Sequence, residues 1–142
     1  MLNHNPEMDL ILQKAYEFAD KLNHRYVTTE HLTLSLVNYN NFKIMLEAYG
    51  CDYNNLQKYL KKYLEGQEIV SKVPTEPQRT HGLERVMNRA FTQTLFSGRA
   101  HIDTTDVFLS LLNESKSFST FVATKAGVEK DKFSEYINHE YI

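Results

Sequence analysis

Six histidines, one cysteine and eighteen acidic residues are the side chains of this 142-residue chain best suited to chemistry. The histidines are His4, His24, His31, His81, His101 and His139. A protein zinc site takes three or four nitrogen, sulfur or oxygen ligands, announced by spacings such as HExxH or paired CxxC. None of those spacings occurs. His24 and His31 lie seven residues apart across an expected helix–loop–helix join. That pair could meet at a metal, but solvated or capping histidines are the commoner outcome, and His31 stands where a first-turn side chain can serve free amides. Cys51 has no histidine evidently placed to activate it, so a small core or cap position is expected. The carboxylates are scattered, and no phosphate-cradling GxxxxGK[ST] loop is present. Ser97-Gly98-Arg99 reads as a helix end. Lys58, Lys61 and Lys62 share a helix with Tyr59 and Tyr63, a mixture that can track nucleic acid, yet Leu56, Leu60 and Leu64 make it a solvated flank of a buried face. These residues predict a binding module with no catalytic residue, no metal and no cofactor.

Composition supports that reading. Net charge is −2, and the chain carries −1 on each side of residue 65, so no basic field argues for nucleic acid. Hydrophobic residues at 42% and charged residues at 24% fit a globular chain with a core. One cysteine excludes an internal disulfide. The N-terminus lacks a signal-peptide core, and no apolar run approaches the ~20 residues that cross a bilayer. A soluble, cytoplasmic protein is expected.

The elements that must position these residues come in two copies. Residues 27–37 read VTTEHLTLSLV, and residues 102–112 read IDTTDVFLSLL, an offset of 75. Thr29/Thr104, Leu34/Leu109, Ser35/Ser110 and Leu36/Leu111 are identical. Upstream, Met8, Ile11, Leu12, Ala15 and Ala19 form one helical face, matched by Leu83, Val86, Met87, Ala90 and Thr94. Downstream, one or two extra residues shift the register, so that Gly50 falls on Gly127, Cys51 on Val128 and Leu56 on Phe133. Each copy predicts four helices: 8–23, 29–38, 41–49 and 52–65, then 82–97, 104–113, 116–126 and 129–140. Thr28 and Asp103 suit N-caps, and Gly50 and Gly127 suit left-handed helix ends. The expected fold is all-α, a single domain over 1–142. Repeat one (1–65) and repeat two (81–142) pack with pseudo-twofold symmetry, joined by an exposed linker (66–80). No strand is expected.

The run Thr28-Thr29-Glu30-His31-Leu32-Thr33-Leu34-Ser35-Leu36 resembles the TEHLLLAL-type motif that opens the second helix of Clp N-terminal repeats. Clp ATPases are ring-forming AAA+ unfoldases that feed proteases or dissolve aggregates, and their N-terminal domains hold two such repeats. The resemblance spans essentially the whole chain. Met1-Leu2-Asn3, the long linker, and Arg85-Val86-Met87-Asn88-Arg89-Ala90 followed by Ser97-Gly98-Arg99 are most like the ClpA branch. The resemblance implies a monomeric, non-catalytic docking domain above a hexameric ring. It would receive protein substrates directly or through a ClpS-type adaptor, and would reach the ClpP protease only through the parent unfoldase. A stand-alone regulator or decoy that occupies Clp adaptors or substrates is the alternative. The family's adaptor-docking positions match Arg25, Glu30 and Thr80, with His24 in the same loop. Glu30 keeps the family's acid and Thr80 its hydroxyl, whereas Arg25 stands where the family has an acid. Glu30 also suits the positive end of a helix dipole without any partner. ClpC relatives hold phosphoarginine with acids in both repeats, and here Glu30 falls on Thr105.

Overall fold

The computed structural model describes residues 3–4, 6–67 and 76–140. Its elements run β1 (Asn3–His4), α1 (Pro6–Lys21), β2 (Tyr26–Val27), α2 (Thr29–Asn38), α3 (Asn40–Tyr49) and α4 (Tyr53–Glu65). They continue as β3 (Gln78–Arg79), α5 (His81–Phe96), β4 (His101–Ile102), α6 (Thr104–Leu112), α7 (Phe118–Lys125) and α8 (Lys130–Glu140). The expected all-α double repeat is present, with four helices in each copy. No described helix is long and apolar enough to cross a membrane.

The duplication extends to individual hydrogen bonds. Ser35 Oγ donates to the Ile11 carbonyl at 2.6 Å, and Ser110 Oγ donates to the Val86 carbonyl at 2.7 Å. Each bond locks the second helix of its repeat onto the first. The first helix of each repeat ends in a left-handed residue, Asn23 (φ 57°) and Gly98 (φ 69°), so the chain reverses at the same place. Both second helices open with a capping box: the N-cap amide of Thr28 donates to His31 Nδ1, and that of Asp103 to Asp106 Oδ2, each at 2.9 Å. Gly50 and Gly127 take the expected left-handed conformation.

Helix α2 is the central element. Every residue from Thr29 to Val37 is buried, because α2 packs on α1, α3 and α4 of its own repeat and on α5, α6 and α7 of the other. Phe42, Phe108 and Phe133 meet edge-to-face between the repeats, with ring centroids 5.0–6.4 Å apart. Leu34, Leu36 and Leu111 are buried as expected, while Leu109 is only half-buried.

Two short ladders depart from the expectation that no strand forms. β1 pairs in parallel with β4, and β3 pairs in parallel with β2. At the 75-residue offset these are one arrangement seen twice: the segment leading into each repeat crosses to the segment before the other repeat's second helix. The expected linker is corrected at its C-terminal end. Gln78 and Arg79 form β3, Pro77 is buried, and Thr80 is the N-cap of α5. This end belongs to repeat two's leading segment. Residues 68–75 of the expected linker lie outside the described residues.

Candidate functional site

The N-terminal turns of α2, α5 and α7 converge on a cleft of about 630 Å³. Thr28, Thr80 and Ser117 are their N-caps, each accepting a backbone amide hydrogen of its own first turn. A helix N-terminus carries partial positive charge and free amides, so three together favour negative charge. The chain supplies one resident anion. Glu30 is buried in the first turn of α2, and its Oε2 accepts from Ser119 N (3.2 Å), Ser119 Oγ (3.1 Å) and Thr29 Oγ1 (3.0 Å). Its carboxylate therefore caps the first turn of α7 across the repeat boundary. Burial, followed by the nearby Glu30 charge, pushes the Tyr63 hydroxyl pKa up, and the Tyr63 ring stacks on Phe118 with centroids 4.1 Å apart. On the opposite wall Glu114 receives both Arg85 and Arg89 at 2.8 Å. The hydrogen bond from Arg85, aided by Arg89, holds the Glu114 carboxyl below the usual range against the opposing effect of burial.

A smaller cavity of about 110 Å³ adjoins the cleft and shares Thr28, Glu30, Tyr63 and Thr80 with it. His24 and His31 form part of its wall, with His24 Nδ1 2.8 Å from His31 Nε2. The protons can be placed by elimination. The Thr28 amide can only donate, so His31 Nδ1 accepts, and the neutral ring carries its hydrogen on Nε2, donating to His24. His24 then donates from Nε2 to the Gln67 backbone, whose own amide hydrogen is committed to Leu64. Burial, with His24 beside it, pulls the His31 pKa down to about 4. Burial also lowers that of His24, against the Gln67 bond. At the offset positions Arg99 grips Asp106 with both guanidinium nitrogens, at 2.5 and 2.8 Å. One repeat thus solves with two neutral imidazoles what the other solves with an ion pair.

The structure brings together three of the four residues expected from the sequence: Glu30 and Thr80 line both spaces, and His24 lines the smaller. Arg25 is exposed, with its guanidinium 5.4 Å from the Tyr26 ring centroid, and lines neither space. Glu30 is buried and bonded across the repeat boundary. His31 takes the capping place expected for it in the first turn of α2, and its ring bonds His24. Among the described residues no group of three or more His, Cys, Asp or Glu is placed to hold a metal. Cys51 is buried, and burial, followed by the Asp52 charge, pushes its pKa up to about 11, which disfavours the nucleophilic thiolate.

The wall formed by Glu114, Ser115, Lys116, Ser117 and Phe118 has no motif in the sequence. Its signal was the register shift. α2 and α3 are separated by Tyr39 alone, whereas the loop from Asn113 to Ser117 separates α6 from α7. The extra residues of repeat two build that wall.

Residues 3–139 match the Clp repeat (R) N-terminal domain family. The Hsp104 N-terminal domain from Candida albicans has a TM-score of 0.83 at 13% identity, covering 98% of this chain and 92% of that one. The N-terminal domain of the ClpV1 ATPase from E. coli has a TM-score of 0.78 at 16% identity, covering 96% and 84%. A ClpV N-domain in complex with a VipB peptide has a TM-score of 0.72 at 18% identity, covering 94% and 84%. With a duplicated four-helix unit, a shared capping geometry and a family match over nearly its full length, the chain belongs to the Clp repeat N-terminal domain family.

Proposed function

We propose that this chain is the non-catalytic docking domain of a Clp-type unfoldase, and that the cleft between α2, α5 and α7 receives a segment of an adaptor or protein substrate. The observation that carries this reading is the convergence of three helix N-termini on one open cleft. Glu114 is ion-paired with Arg85 and Arg89, and Glu30 is held by hydrogen bonds at the first turns of α2 and α7, so the exposed Lys116 and the N-terminus of α5 are what favour a partner's negative charge. That a ClpV N-domain forms a complex with a VipB peptide supports peptide docking as a use of the fold. A ClpS-type adaptor, as a ClpA-like assignment implies, is the partner to test first.

Lys116 is exposed at the rim of the cleft. Calorimetric titration of the chain with a ClpS-type adaptor should give measurable binding that weakens with added salt, since exposed charges are screened. Lys116→Glu should weaken it by roughly tenfold, or ~1.4 kcal/mol, with Tm unchanged. Unaltered affinity for Lys116→Glu would place docking elsewhere.

A further inference from the structure

The small cavity beside the cleft has a specific chemistry. Its wall contains Tyr26, Tyr63, Leu64 and the His24 and His31 rings. The polar groups there are already committed: His31 Nδ1 to Thr28, the two imidazoles to each other, His24 to Gln67, and Thr80 Oγ1 to the Leu83 amide. Among the described residues no buried side-chain nitrogen or oxygen lacks a hydrogen-bond partner. Glu30 Oε2 is likewise taken by Ser119 and Thr29, and the Gln67 side-chain amide donates to the Tyr63 carbonyl, so a polar group entering this space would lose water for little return, whereas an apolar group loses nothing. The volume, about 110 Å³, approaches the ~150 Å³ at which an apolar cavity takes a benzene-sized guest.

The surroundings of its mouth have the opposite character. Lys116 lies on the adjoining cleft and Arg25 sits over Tyr26 at the cavity wall. Neither forms an ion pair among the described residues, and helix N-termini add partial positive charge, which the Glu30 carboxylate offsets at α2 and α7 but not at α5. We infer that the cavity is an anchoring pocket for one bulky apolar side chain, leucine or phenylalanine, carried on an acidic segment of the docking partner. The inference rests on the docking reading above and adds to it the chemistry of the partner.

The test is an NMR titration of the isotope-labelled intact chain with three acidic dodecapeptides that differ only at a central Leu, Ala or Lys. The Leu peptide should shift the amides of Ser115–Ser119 in the cleft and the methyls of Leu64 in the pocket. The Ala and Lys peptides should bind at least tenfold more weakly and leave the Leu64 methyls unmoved. Leu64→Phe, which fills the cavity, should keep the cleft shifts and lose the preference for Leu. If that variant does not fold, the wild-type comparison of Leu with Ala decides alone. Equal affinity for all three peptides, with cleft shifts and silent Leu64 methyls, overturns the pocket and leaves the docking reading standing. No shift at either place overturns both.

Discussion

Glu30 shows how little a residue's type says about its contacts. An acid in the first turn of a helix suits a dipole or a partner equally well from sequence. Two of the three hydrogen bonds its carboxylate accepts come from Ser119, 89 residues away, and that contact has no sequence signature. Removing the carboxylate leaves the buried Ser119 amide and hydroxyl unpaired. Glu30→Ala should therefore destabilise the fold by roughly 1–3 kcal/mol in urea denaturation, and a loss below ~0.5 kcal/mol would mean the staple is dispensable. The histidine pair makes a second prediction. His31 titrates near 6.5 when unfolded and near 4 when folded, so the unfolded chain binds more protons between those values. Its contribution is intact above about pH 6.5 and is lost as pH falls toward about 4, to the extent of ~3 kcal/mol. His31→Gln keeps an acceptor for Thr28 and a donor for His24 without titrating. Denaturation at pH 7.5 and 5 should show a smaller drop for this variant than for the wild type. Equal drops would move the pH dependence elsewhere.

At the scale of elements, the helices were legible because their signals are local. Apolar period, Thr28 and Asp103 caps and left-handed glycines bound each helix within a few residues. α1 starts at Pro6 rather than residue 8, since proline is at home in a first helical turn. The four strands were not legible: two residues are too few for alternation to register, and their pairing depends on segments far apart in the chain, Tyr26 with Gln78 and Asn3 with His101. Nor was the difference between Leu34 and Leu109, identical in the duplication. Leu109 lines a groove bordered by α5, α6 and α8, so it stays half-buried, whereas Leu34 is covered. Leu36→Ala should cost roughly 2–5 kcal/mol, and Leu109→Ala about 1 kcal/mol. Equal costs in chemical denaturation would contradict the asymmetry between the repeats.

At the scale of the molecule, the two repeats are interlocked rather than merely adjacent. Their leading segments exchange, the Asp52 amide donates to the Ala126 carbonyl at 2.8 Å, Glu30 holds Ser119, and three phenylalanines interleave at the boundary. The symmetry then breaks where function is proposed. The longer loop before α7 carries Glu114 to Ser117 to the N-termini of α2 and α5, and the equivalent short join in repeat one contributes nothing comparable. The sequence showed this insertion only as a lost register, because where a loop lies depends on the packing of the helices around it. The most direct test of the docking cleft is amide chemical-shift mapping of the labelled chain with a ClpS-type adaptor. Docking in the cleft should give shifts concentrated at Thr28–Glu30, Thr80–Gly82 and Ser115–Ser119. Shifts concentrated instead on the groove between α5, α6 and α8, around Arg89, Arg99 and Lys130, would contradict it.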